Sequence, residues 1–345
     1  MGLTMMMIPF SPSLPFFFAL CAIRGWAMGS LGTGANVLCL DIWQGEKDSG
    51  PYMHSLQFAF SFGAFGAPIL AEHFLHVQNY DTNSIGNRMS TDISQPRFHT
   101  VVSSGPGIEV LYVILGAFTL LVSIGYLTYG IKDLKEVCQQ TTRCNSYTKL
   151  KNDVNSNSNN CIMVTVILMF LFLYGGMELM CGTYLATFSV RSHLHLTRHM
   201  GARVTAVYWG SFASMRFLAI FVAVKLNPLG TLAFSLFMSV VGCTLLAIFG
   251  ESSIEALNIF TAIMGIGMAS IYASSLLWMD QYMTVTDKIG ALMTISAQIG
   301  GDSFPLLLGQ FIATFPMILM YIQVGVVYAC ILLFILACWI GRRVT

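Results

Sequence analysis

The sequence predicts an all-α polytopic membrane protein, on three observations. Of its 345 residues 55% are hydrophobic and only 10% charged, with mean hydropathy +0.70, where a soluble domain carries about 25% charged residues. The apolar residues fall into long uninterrupted runs, each near the roughly 20 residues that span a bilayer as helix. None of these runs alternates polar with apolar at the half-length of a β-barrel strand.

Nine such runs can be placed in order, near 15–40, 52–76, 108–130, 161–186, 203–225, 229–250, 255–278, 289–313 and 317–341. Before them, Met1 to Phe10 is uncharged and reads as the stub of a further helix stopped by Pro9, Pro12 and Pro15. Residues 77–107 form a polar connection containing Asn79, Asp81, Asn83 and Pro96. Residues 131–160 form a second connection, with Lys132, Lys135, Arg143, Lys149 and Lys151 followed by an Asn/Ser tract from Asn152 to Asn160. The expected organisation is therefore a remnant N-terminal bundle over 1–130, a linker over 131–160 and a six-helix bundle over 161–345.

Charge sets the expected orientation. Ten Lys and Arg lie on the side of Lys47, the linker, Lys225, Lys288, Arg342 and Arg343, against five on the other side: Arg88, Arg97, Arg191, Arg198 and Arg203. That bias puts the linker and the C-terminus in the cytoplasm. The net charge of +1 gives no footprint for nucleic acid or for an acidic substrate.

The nine cysteines form neither a disulfide framework nor a zinc spacing. His193, His195 and His199 share a loop that lacks a partnering Cys or acid, so no metal site is expected. No phosphate-binding glycine loop, Walker motif or nucleophile elbow occurs, which points away from an enzyme and from any cofactor other than a coupling cation.

Four full charges fall inside the apolar runs: Arg24, Glu178, Arg216 and Asp302. An intramembrane charge costs at least about 2.5–3.5 kcal/mol, so each needs a partner or water. Glu178 shares a helix face with Tyr174 and Cys181 in YGGMELMCGTY. It reads either as a proton or cation site beside a substrate-facing tyrosine, or as a carboxylate tied to another helix.

Asp302, in SAQIGGDSFP, has Gln298 one turn earlier, with Gly300, Gly301 and Pro305 around it. It reads as the acid of an interrupted helix that binds a coupling ion, or as a packing residue paired with Arg216. Arg216 itself reads as a structural counter-ion to Glu178 or Asp302, or as a ligand for a sugar hydroxyl. Asn36, Gln57, Tyr184, Tyr208, Gln310 and Trp278 add the amides, hydroxyls and aromatic faces that a sugar site needs. Interhelical bonding and core packing account for each of them singly.

The segment from Trp26 to Leu75, beginning WAMGSLGTGANVLCLDIW, resembles the fourth and fifth helices of the fucose-permease-like branch of the major facilitator superfamily. YGGMELMCGTY resembles the seventh helix, YWGSFASMRF the eighth, and GIGMASIYASSLLW with GALMTISAQIGGDSFP the tenth and eleventh. Within that branch the chain is most similar to the sodium-dependent glucose transporters.

The resemblance implies a major facilitator fold with about nine of twelve helices present, N-terminally truncated, and alternating-access transport of glucose or another hexose with Na⁺ as the coupling ion. It also implies a plasma-membrane location. On the reading of the intramembrane polar groups above, the expected pathway has Asn36, Gln57, Tyr174 and Gln298 as sugar contacts and Glu178 and Asp302 as ion-coupling acids. Two departures stand out: Gly32, where many relatives carry an acid before Thr33, and Gln57, where close relatives have His. A passive sugar facilitator, consistent with Gly32, is an alternative. So is a non-transporting fragment that binds a full-length transporter protomer.

Overall fold

In a computed structural model, residues 1–43, 49–74, 108–140, 158–222, 227–283 and 287–344 are described. The connection 77–107, most of the Asn/Ser tract, and Lys47, Arg88, Arg97, Arg143, Lys149, Lys151 and Lys225 lie outside them. All regular structure among the described residues is helical: α1 (Gly2–Met7), a 3₁₀ turn (Ile8–Phe10), α2 (Leu14–Trp43), α3 (Ser49–Phe74), α4 (Ile108–Gln140), α5 (Ser158–Arg191), α6 (Arg198–Val222), α7 (Pro228–Phe249), α8 (Ile254–Met268), α9 (Ile271–Asp280), α10 (Asp287–Gly309) and α11 (Ile318–Val344).

Among the described residues, seven spans are long and apolar enough to cross a membrane, α8 and α9 counting as one. The other two expected spans are the helices α3 and α10. They fall short because His54, Gln57 and Ser61 dilute one, and Gln298 and Asp302 the other.

Two boundaries differ from the sequence expectation. Helix α4 runs ten residues past its apolar run to Gln140, because IKDLKEVCQQ is rich in helix-favouring side chains and has no breaker. The run expected as one span over 255–278 is two helices, α8 and α9, separated at Ala269 and Ser270.

The chain divides into two compact units. The smaller comprises Met1–Arg24 and Leu70–Leu127. In it α1 crosses α4 where Gly2 meets Gly116: a Cβ on Gly2 would lie 2.7 Å from Thr119 Oγ1 and 2.8 Å from the Gly116 carbonyl oxygen. Only glycine permits that approach.

The larger unit comprises Gly25–Ile69 and Thr128–Thr345. Here α5 packs against α6, α10 and α11, while α7 packs against α8, α9 and α11. Asn227 and Ser253 start α7 and α8 by accepting the backbone N–H groups of Leu229 and Ala256. The ends agree with an up-and-down path. His193 after α5 faces Glu251 after α7 at 4.0 Å, and Gln281 after α9 reaches Asn227 before α7 at 3.4 Å.

The core of this unit is unusually rich in methionine, with Met53, Met163, Met177, Met180, Met264, Met268, Met279, Met293 and Met320 all buried. Thioether side chains fill irregular gaps between helices that cross closely. The tightest crossing joins α5 to α10: a Cβ on Gly175 would overlap the Ala297 carbonyl, and one on Gly300 the Phe172 carbonyl. Helix α10 runs unbroken through Pro305. Its glycines therefore serve close packing, and the interruption expected there falls between α8 and α9.

Candidate functional site

Arg216 organises the interior of the larger unit. It sits mid-helix on α6 at 1% exposure, where an unpaired guanidinium would carry a large desolvation cost. Its planar fork is used in several directions. Nε donates to the Ala269 carbonyl at 2.9 Å. Nη1 donates to the Gln57 carbonyl at 2.9 Å and to Ser61 Oγ at 2.7 Å, while Nη2 lies 3.7 Å from Glu178 Oε1.

The Phe212 ring lies against the same cation, 4.2 Å from the guanidinium carbon. The carboxylate beside Arg216 is therefore Glu178 on α5. Asp302 makes no ion pair among the described residues and is exposed on α10.

The break between α8 and α9 explains why these groups converge. Interrupting a helix frees backbone carbonyls that must be satisfied in a membrane interior. Ser270 takes φ −101° and ψ −2°, and the two carbonyls before it are taken by side chains. Tyr174 donates its hydroxyl to Met268 O at 3.1 Å, and Arg216 fills Ala269 O. Tyr208 adds contacts to the Glu178 carbonyl at 3.3 Å and to Met268 Sδ at 3.4 Å.

A chain of uncharged polar groups joins α3, α2, α9 and α10. Gln57 Nε2 donates to Asn36 Oδ1 at 3.1 Å, and Asn36 Nδ2 donates to the Tyr272 hydroxyl at 3.4 Å. Tyr272 and Thr294 lie 2.9 Å apart. Thr294 donates to the Gly290 carbonyl at 3.0 Å. Asn36, Tyr272 and Thr294 are buried, whereas Gln57 is half-buried and its Oε1 accepts no bond among the described residues.

The candidates from the sequence thus separate. Asn36, Gln57, Tyr174, Glu178 and Arg216 belong to one connected set, joined through Gln57 and the α8–α9 break. Gln298 and Asp302 share an exposed face of α10, flanked by Ile295, Ile299 and Leu306. Trp278 is fully buried against Tyr282 and Phe334. Gln310 is exposed, and the Tyr184 hydroxyl lies beside Gly309. Arg24 Nε is buried with no partner among the described residues.

Three members escaped sequence reasoning: Ser61, Tyr272 and Thr294. Their signal was the four-residue spacing of Ser61 from Gln57, and a tyrosine two residues past the glycine-rich GIGMAS. A surface depression of about 310 Å³ beside Ala186, Thr187, Val190 and Arg191 lies at least two turns along α5 from Glu178 and takes no part.

Comparison with known proteins fits this arrangement. Over all 345 residues the structure superposes on a crystal structure of FucP, a major facilitator superfamily transporter in its outward conformation, with TM-score 0.59, 16% identity and 78% of that chain covered. This is a major facilitator fold.

Among curated proteins, the chain is 29% identical over 315 residues to the sodium-dependent glucose transporter 1A of Mus musculus, covering 90% of this chain and 72% of that one. It is 30% identical over 315 residues to the sodium-dependent glucose transporter 1 of Xenopus laevis, covering 90% of this chain and 60% of that one. The chain thus spans less than two thirds of the Xenopus relative's length. No family model matches the sequence. The chain is a multi-pass membrane protein that resembles the sodium-dependent glucose transporters.

Proposed function

We propose that this chain serves secondary active transport of glucose or a similar hexose, with Na⁺ as the coupling ion, in the plasma membrane and with its C-terminus in the cytoplasm. The observation that carries the reading is the connected polar interior. Glu178 and Arg216 compensate each other inside a membrane bundle, one shell away from an amide that leaves a carbonyl acceptor open. Sugars are bound through hydroxyls by amides and hydroxyls held in fixed directions. The names of the mouse and Xenopus relatives supply the solute class and the ion.

In this mechanism two helix groups rock about a site near mid-membrane. Asn36 and Gln57 contact the sugar. Tyr174 and Arg216 hold the discontinuous α8–α9 segment by its carbonyls, so movement of α5 or α6 is transmitted to it. Glu178 is the acid that pairs with the coupling cation, and Asp302, on the open face of α10, is a second cation ligand.

A passive facilitator is favoured by one observation: Arg216 already neutralises Glu178. Reconstitution into vesicles with labelled glucose separates the two. Accumulation above equilibrium under an inward Na⁺ gradient, abolished in Glu178→Gln while equilibration survives, is the expected result. Equilibration that ignores the gradient assigns the facilitator.

A further inference from the structure

Hydrogen-bond chains have a direction, and this one is anchored. A backbone carbonyl only accepts, so a chain ending on one obliges each preceding group to donate toward it. Gly290 O takes the Thr294 hydroxyl at 3.0 Å. That spends the threonine's single proton, so at the 2.9 Å contact Tyr272 is the donor.

With its proton directed at Thr294, the Tyr272 oxygen accepts, and Asn36 turns its NH₂ toward it at 3.4 Å. The Asn36 carbonyl is then left to receive the Gln57 NH₂ at 3.1 Å. Burial leaves water little access as a competing partner along the inner part, where Asn36, Tyr272 and Thr294 are exposed by 9%, 6% and 4%. The outer end is the half-buried Gln57 amide, whose Nε2 is spent on Asn36 while its Oε1 accepts no bond among the described residues. A free glutamine presents a donor or an acceptor equally well by rotating its amide; this one is committed.

We propose that the Gly290–Thr294–Tyr272–Asn36 relay fixes the polarity of the Gln57 carboxamide, so that Gln57 offers the solute a carbonyl acceptor and selects ligands with a hydroxyl that donates to it. Tyr272 and Thr294 are positioning residues that act through Asn36 and need not touch the solute. The proposal rests on the reading of a polyhydroxylated solute given above.

The test is equilibrium binding to the purified full chain of glucose and of its monodeoxy and monofluoro-deoxy analogues, since fluorine occupies a hydroxyl's place without donating. At one ring position, deoxy and fluoro analogues should both bind about five- to tenfold more weakly than glucose, the worth of one neutral hydrogen bond. In Tyr272→Phe that penalty should shrink to about twofold, because the unanchored amides rotate to offer N–H instead. Thr294→Val, which keeps the tyrosine ring and its packing, should do the same, so the result does not hang on one variant.

Fluorine restoring glucose-like binding to the wild-type chain would show that Gln57 presents N–H, and would overturn the assigned polarity. An unchanged fluoro penalty in both variants would overturn the relay's role in selection while leaving sugar binding intact. Absence of binding by glucose and every analogue would overturn the solute reading, and the selection with it.

Discussion

Glu178 and Asp302 are both acids inside helices that pack on each other, and the protein treats them in opposite ways. On α5, Glu178 is enclosed, with a guanidinium 3.7 Å away and the Tyr208 hydroxyl on its own carbonyl. On α10, Asp302 stands on an open face with Gln298, although Gly300 and Gly301 beside it are buried. The helix that carries Asp302 is thus committed on one side only. An acid's sequence context shows that it is expensive to place in a membrane; it does not show which face of the helix meets that cost.

The sharpest way to break the comparison is to remove the cation from the enclosed side. Arg216→Met leaves Glu178 uncompensated and the Ala269 and Gln57 carbonyls without their donor. A loss of about 3–5 kcal/mol is expected, read as loss of folded protein on size exclusion or a collapse of the melting temperature in detergent. The double variant Arg216→Met with Glu178→Met should recover part of that loss, since it removes the stranded charge.

Crossing geometry provides the next largest effect. Gly300→Val drives a side chain into the Phe172 carbonyl and should cost about 3 kcal/mol or prevent folding. Gln298→Leu, two residues earlier on the open face, should stay within about 0.5 kcal/mol. Equal effects from these two would show that α10 is packed on both sides.

Tyr174→Phe keeps the ring and leaves Met268 O without its donor, for an expected loss of about 1–2 kcal/mol by thermal unfolding. Smallest is Asp302→Asn, whose melting temperature should move by less than about 2 °C. A shift as large as that of Tyr174→Phe would reveal a partner for Asp302 and dissolve the contrast with Glu178.

Much of this was legible in the sequence. Each of the nine apolar runs falls on helix, seven of them long and apolar enough to cross a membrane among the described residues, because lipid leaves only one way to satisfy a backbone. The four intramembrane charges led directly to the Glu178–Arg216 pair as one of the open alternatives. The helix break was assigned to the wrong place, since Gly300, Gly301 and Pro305 look like an interruption from sequence alone. In the fold those glycines face α5, and the break falls at Ala269 and Ser270, where only GIGMAS hints at it.

Thr294 and Tyr272 were illegible for a different reason. The Thr294 hydroxyl bonds its own i−4 carbonyl, as a threonine in an apolar helix does by default, and a tyrosine ring reads as core packing, so neither advertises anything until a second helix arrives. The number of buried methionines could be counted, but which gaps they fill depends on crossings that no single stretch encodes.

Gln57 is gripped twice, by its own carbonyl through Arg216 and by its side chain through Asn36. Mechanically that makes it a coupling rod. One end bears on the guanidinium that holds the α8–α9 joint, the other on the amides and hydroxyls that lead to α10. Sliding α3 by an ångström would load both ends at once, so neither the joint nor the relay can drift alone. A solute that draws on Gln57 Oε1, as proposed, would pull at a residue bonded to both.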